Sequence, residues 1–163
     1  MKTTKSMLAA LVVILTFDAV SFAQRTTRRS PQLSPQSLVA DLYRQHKKRS
    51  PFFQTTDRAL LDRYFEKSLG DLIWKDAVNS KGEPGAIDGD PLFNAQDMDI
   101  KKFVIHGAKF GAPNTATVLV TFENLGKPNS VSFEMSKLGT GWRIRDMKYD
   151  DGSRLRTILE QNR

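Results

Sequence analysis

Cysteine is absent from all 163 residues. Its absence excludes disulfides, thiol chemistry and a lipid-bearing cysteine, and leaves the fold to be held by its core alone. Histidine occurs twice, at His46 and His106, in neither a metalloprotease spacing nor beside a nucleophile. A zinc site therefore has no support in the sequence, and no metal or cofactor is expected. No Asn-x-Ser/Thr triplet offers an N-glycosylation acceptor. Gly-x-Ser-x-Gly, phosphate-loop and dinucleotide fingerprints are missing too; Gly139-Thr140-Gly141 begins like the last but lacks the third glycine and sits between strand-like runs. The longest apolar run, Met7 to Val20, is too short for a comfortable membrane span.

That run opens what is present. Lys2 and Lys5 precede it and Ser21-Phe22-Ala23 closes it with small residues, so residues 1–23 read as a signal peptide and Gln24 as the first residue of an exported chain. The destination is a periplasm or the cell exterior. The net charge of +7 stays strongly positive without that segment. A basic balance favours anionic partners, and an exported chain seldom meets nucleic acid. The partners expected are therefore a small molecule or another envelope protein, with an anionic surface as a further option and no nucleic acid. Either a monomer or a homodimer fits.

Residues 24–34 carry Arg25, Arg28 and Arg29 with a single large apolar residue, Leu33, and read as a flexible basic leader. Residues 35–163 read as one α+β domain. Ser34-Pro35 starts a helix whose stripe is Leu38, Val39, Leu42, Tyr43 and His46, with Lys47 to Arg49 at its end and Pro51 stopping it. Thr56 or Asp57 caps a second helix carrying Leu60, Leu61, Tyr64, Phe65 and Leu69. Gly70 breaks it, and Asp71 caps a third with Leu72, Ile73 and Ala77 inward.

After Asp99 the period changes from about four to two. A strand runs from Ile100 to Phe110, then a cleaner one puts Ala116, Val118, Val120 and Phe122 on one face. Val131, Phe133 and Met135 alternate in a third, and Trp142 and Ile144 face inward in a fourth, with a change of phase at Asp146-Met147 that suits a bulge. Ser153 caps a terminal helix. Helices followed by about four strands with short turns give an antiparallel α+β order.

Between the halves lies a hinge, Asp88 to Asp99, with four carboxylates. Asp88, Asp90, Asp97 and Asp99 have the chemistry of calcium ligands, but Pro91 and Leu92 interrupt the spacing a calcium loop requires. The local signals favour a turn instead: Asp90 as cap, Pro91 at the first position, and Leu92 and Phe93 plugged into the core. Gln96 and Asp97 remain as polar groups able to line a pocket. Asp97 with His106 or Tyr43 is the acid–base combination expected of an enzyme, the alternative to a non-catalytic binding role.

Leu42-Tyr43, Asp90-Pro-Leu-Phe-Asn-Ala-Gln-Asp97 and Gly141-Trp-Arg-Ile-Arg-Asp146 together resemble the bacterial secreted family catalogued as domain of unknown function 3828, itself similar to the nuclear-transport-factor-two-like, cystatin-like cone fold. The resemblance spans about residues 36 to 160 and implies a curved antiparallel sheet wrapped round helices. It brings no established activity, since that fold hosts isomerases, dehydratases, ligand binders and interaction modules alike. It implies a place for a ligand, the mouth of the cone, where Tyr43, Gln96, Asp97, Trp142 and Asp146 are the candidate contacts. No Asp/His pair matches the spacing of the enzymes.

Overall fold

The structure is a computed structural model that describes residues 32–161, so the segment read as a signal peptide and most of the expected basic leader lie outside the described residues. Helix α1 (Pro35–Lys48) starts as its sequence dictates: the Ser34 hydroxyl oxygen accepts from Ser37 N at 3.1 Å, and Pro35 sits where a missing donor costs nothing. Leu38, Val39, Leu42 and Tyr43 form its buried stripe. His46, Lys47 and Lys48 stand at the negative end of its dipole. Beyond it, Pro51–Phe53 form a short 3-10 turn that buries Phe52.

Helix α2 (Arg58–Asp62), capped by Asp57 accepting from Leu60 N, is shorter than its periodicity predicts. Tyr64 and Phe65 leave the helix and lie along the sheet. Phe65 bridges Ile144 in parallel, Glu66 N donates to Ile144 O at 2.9 Å, and Ile144 N donates to Tyr64 O at 2.8 Å. Gly70, expected to break a helix, is buried inside α3 (Lys67–Asn79). A Cβ there would stand 2.6 Å from Leu61 Cδ2, so the glycine is a site of close α2–α3 approach. Asp71 is likewise no cap; it sits within α3 and accepts from Lys67 and Arg58.

The sheet holds β1 (Ile100–Ile105), β2 (Lys109–Phe110), β3 (Thr115–Asn124), β4 (Lys127–Leu138) and β5 (Gly141–Tyr149), all antiparallel, in the order β1-β3-β4-β5 with β2 also beside β3. The run expected as one strand from Ile100 to Phe110 breaks after Ile105, which gives five strands rather than four. Helix α4 (Leu155–Gln161) closes the described chain. Ser153 does not use its hydroxyl as a cap, for that hydroxyl donates to Asp151.

The α+β architecture is thus the one the residue pattern requires. Val118, Val120 and Phe122 of β3, Val131, Phe133 and Met135 of β4, and Ile144, Met147 and Tyr149 of β5 meet the helices in one core. Two bulges shape the sheet. One, between β4 and β5, falls at the expected change of phase, where Glu134 pairs with Asp146 but Met135 pairs with Ile144. The other lies in β1: Lys101 pairs with Glu123 and Val104 with Thr121, so Lys102 and Phe103 both stand opposite Phe122. Lys102 takes φ +50° to make that step.

Candidate binding grooves at the hinge

The hinge folds as a plug. Asp90 N donates to Ala95 O at 2.7 Å and Asp90 Oδ1 accepts from Leu92 N at 2.9 Å, the turn-and-cap use expected of an Asp before proline. Leu92 is fully buried and Phe93 half-buried. Two tyrosine hydroxyls fasten the plug from opposite sides: Tyr43 donates to Leu92 O at 2.9 Å, and Tyr149 donates to Pro91 O at 3.0 Å. Burial pushes both phenols well above the usual tyrosine range, with nearby carboxylates adding to the effect, so both are hydrogen-bond donors at any physiological pH.

The remaining oxygen, Asp90 Oδ2, pairs with His46 Nε2 at 2.9 Å. Both side chains are largely enclosed, 12% and 14% exposed. Phe52 stands edge-on to the imidazole at 5.8 Å. His46 Nδ1 is buried without a hydrogen-bond partner. The pair joins α1 to the hinge across 44 positions of sequence. A histidine–carboxylate pair can do acid–base chemistry when its free nitrogen meets a substrate; here that nitrogen is buried, although both side chains line the two grooves beside them.

Two open grooves flank the pair. One, of about 740 Å³, lies between α1 and β1 and is lined by Ala40, Tyr43, Phe93, Met98, Ile100, Phe103 and Ile105, with Arg44 and Lys47 also along it. The β1 bulge creates its wall. Without the extra residue Phe103 would fall on the outer face; with it, Ile100, Phe103 and Ile105 all point toward α1. Phe103 then meets Tyr43 edge-on at 4.9 Å, and Phe93 packs on Tyr43 at 5.5 Å and Phe122 at 5.2 Å. The other groove, of about 840 Å³, runs between α3, the 80–90 loop and the hinge, and is mixed, with Phe53, Ile87 and Met98 beside Thr55, Asp76, Glu83, Asp88 and Gln96.

The candidate residues separate. Tyr43 lines the groove between α1 and β1, and Gln96 the one between α3 and the hinge. Asp97 is exposed in the loop before β1 and lines neither; its carbonyl accepts from Asn124 Nδ2 at 3.0 Å. His106 is exposed on the outer side of the sheet, its Nε2 2.9 Å from Thr121 Oγ1, so it and Tyr43 lie on opposite faces. Trp142, expected inward, is half-buried and lines a separate small cleft with Leu33 and Leu38. Asp146 is buried, but its carboxylate is occupied in fastening α4: Oδ2 accepts from Arg154 at 2.8 Å, and Oδ1 from Met147 N and Arg156 N.

The sequence reading missed the pairing of His46 with Asp90 and the burial of Asp41. Asp41 accepts from Arg44, from Arg63 at 2.6 Å and from the Tyr64 hydroxyl at 2.8 Å. The signal was a carboxylate between Val39 and Leu42 on a buried stripe. Among the described residues no three His, Asp or Glu side chains converge to hold a metal ion, and no helix is long and apolar enough to cross a membrane.

No family model matches the chain, so the resemblance to the domain of unknown function gains no support from that side. No curated protein matches it. Among solved structures, a phospholipid-binding protein from Ralstonia solanacearum, determined in complex with a phospholipid, is 17% identical over 77% of this chain and 69% of that chain, with a TM-score of 0.34. A likeness that loose carries nothing about the role of this chain, which rests on its own grooves.

Proposed function

We propose that this is an exported, non-catalytic binding domain that takes an amphipathic small molecule with an anionic end into the groove between α1 and β1. One observation supports the ligand class above all: an open groove of about 740 Å³ walled by Phe93, Met98, Ile100, Phe103 and Ile105, with Arg44 and Lys47 along it. Phe103 and Met98 keep 40% and 50% of their surface exposed, an apolar area that a ligand chain would remove from water. Lys47 and Arg44 offer charge-assisted hydrogen bonds to a carboxylate or phosphate. The amino-terminal segment, with its basic start, apolar run and small residues at 21–23, supports export to a periplasm or the cell exterior.

The acid–base alternative loses its support residue by residue. Asp97 and His106 are both exposed and outside the groove, the Tyr43 hydroxyl is committed to Leu92 O, and the spare nitrogen of His46 is buried. A fluorescent long-chain carboxylate tests the binding reading. Saturable binding is expected, weakened at least about tenfold by Phe103→Asp, which sets a charge against the chain, and by a smaller factor by Lys47→Glu. Absence of binding, or binding that Phe103→Asp leaves intact, would remove this reading.

A further inference from the structure

At the end of the sheet remote from the hinge, apolar and cationic side chains gather outside either groove. Phe110, carried by the two residues of β2, is 69% exposed, the most exposed of the large apolar side chains among the described residues. Its ring lies 5.9 Å from that of Trp142 at the start of β5. Leu33, 41% exposed, lines the small cleft beneath Trp142, and Leu138, 45% exposed, ends β4 beside them. Single exposed apolar residues are ordinary on a protein surface; an aromatic pair with leucines at one end of one sheet is a patch.

Three cations border it, while Asp62 and Asp71 line the cleft on the Leu138 and Arg143 side. Lys109 precedes Phe110, Lys137 pairs with Trp142 across the β4–β5 ladder, and Arg143 follows Trp142. Lys109 and Lys137 form no ion pair among the described residues, and the Arg143 guanidinium donates to the carbonyls of Asp62 and Trp142 rather than to a carboxylate. Many cations elsewhere are paired, among them Arg58, Arg63, Arg145, Arg154, Lys101 and Lys102, although lysines such as Lys75 and Lys148 are not. Three cations without carboxylates around an aromatic tip are matched by a surface that is apolar in its interior and anionic at its face.

We infer that this end of the sheet docks on an anionic lipid bilayer, with Phe110 and Trp142 at the level of the head groups and acyl boundary, and Lys109, Lys137 and Arg143 against lipid phosphates. Aromatic rings with a polar partner favour that boundary, and each lysine near an anionic leaflet adds a modest electrostatic attraction. The strand carrying Phe110 sits in a loop held by Gly111 N to Thr115 O and Thr115 N to Ala112 O, so the ring is presented on a fixed hairpin. Docking there leaves the α1–β1 groove free. The two sites are independent.

The test uses the mature chain, its amino terminus verified by mass spectrometry, with vesicles of phosphatidylcholine alone and of phosphatidylcholine mixed with phosphatidylglycerol. Co-sedimentation with the anionic vesicles only is expected, weakening as salt rises. Phe110→Asp should lower that partition at least about tenfold, and Lys109→Glu about fivefold or more. Phe110 is mostly exposed, so an unchanged melting temperature and unchanged carboxylate binding in the groove accompany these losses. In a Trp74→Phe background, the emission of Trp142 should shift to the blue on anionic vesicles. Vesicle binding that Phe110→Asp does not alter would assign it to the basic leader and overturn the inference, as would no binding. Concentration-dependent self-association abolished by Phe110→Asp would give the patch to a second copy of the chain instead.

Discussion

Asp41 shows how one carboxylate can organise a helix interface. It sits on the buried side of α1, yet its oxygens are met by Arg44, Arg63 and the Tyr64 hydroxyl, the last two from the segment leaving α2. Burial raises the pKa of such a group; the bonds from Arg44 and Tyr64 and the charges of Arg63 and Arg44 outweigh it and hold Asp41 below the usual carboxylate range. A folded-state value below the unfolded one contributes stability above the unfolded pKa of about 3.9, lost as pH falls through the folded value. Asp41→Asn should therefore cost about 1–3 kcal/mol at neutral pH. The two guanidiniums are largely exposed and rehydrate, which keeps the cost moderate. Urea melts of both chains at pH 7 and at pH 3 check this: the gap should shrink at the lower pH, and an equal gap at both would mean the carboxylate's charge contributes nothing.

Among the elements, the β3–β4 hairpin carries unfavourable local chemistry at its turn. Asn124 pairs with Lys127 across a two-residue loop whose residues, Leu125 and Gly126, take φ +51° and +77°. Glycine adopts that region freely; leucine does so at a cost of about 1 kcal/mol, and its side chain, 61% exposed, gains little burial in return. Leu125→Asn should raise stability by about 0.5–1 kcal/mol, read as a higher urea midpoint with an unchanged slope. A lower midpoint would mean that Leu125 packs on a neighbour. Signals of this local kind are what the sequence carries well. Ser34-Pro35, Asp90-Pro91 and the alternation of Thr115 to Phe122 each specify their conformation within a few residues, and each appears as expected. What required the folded chain was any feature made by distant parts. The α1–β1 groove depends on the bulge at Lys102, because Ile100, Phe103 and Ile105 share a face only once the period-two pattern is broken. Gly70 reads as a breaker until Leu61 is seen against it, and His46 finds Asp90 only when the hinge folds back.

The whole molecule is a sheet with two unequal edges, and that inequality bears on its oligomeric state. The β5 edge is covered: Tyr64 and Glu66 bond to Ile144, and Arg154 bridges Lys148. The β1 edge has no strand beside it among the described residues, and Val104 on it is 47% exposed. An open edge invites pairing with a second copy, and proteins discourage this with bulges and lysines. Both are present here, in the turn at Lys102 and in Lys101 and Lys102 themselves, which engage Asp99 and Glu123. A partner strand would have to straighten the bulge, and that would turn Phe103 out of the groove. The chain should therefore be monomeric by light scattering at high concentration, with β1 amides exchanging hydrogen faster than those of β3 and β4. Replacing Lys101 by threonine and Lys102 by asparagine should bring concentration-dependent association by removing the edge's charge while leaving at the bulge a residue that tolerates its positive φ. A wild-type dimer with protected β1 amides would show that the bulge is no barrier, and would make the groove wall part of a subunit interface.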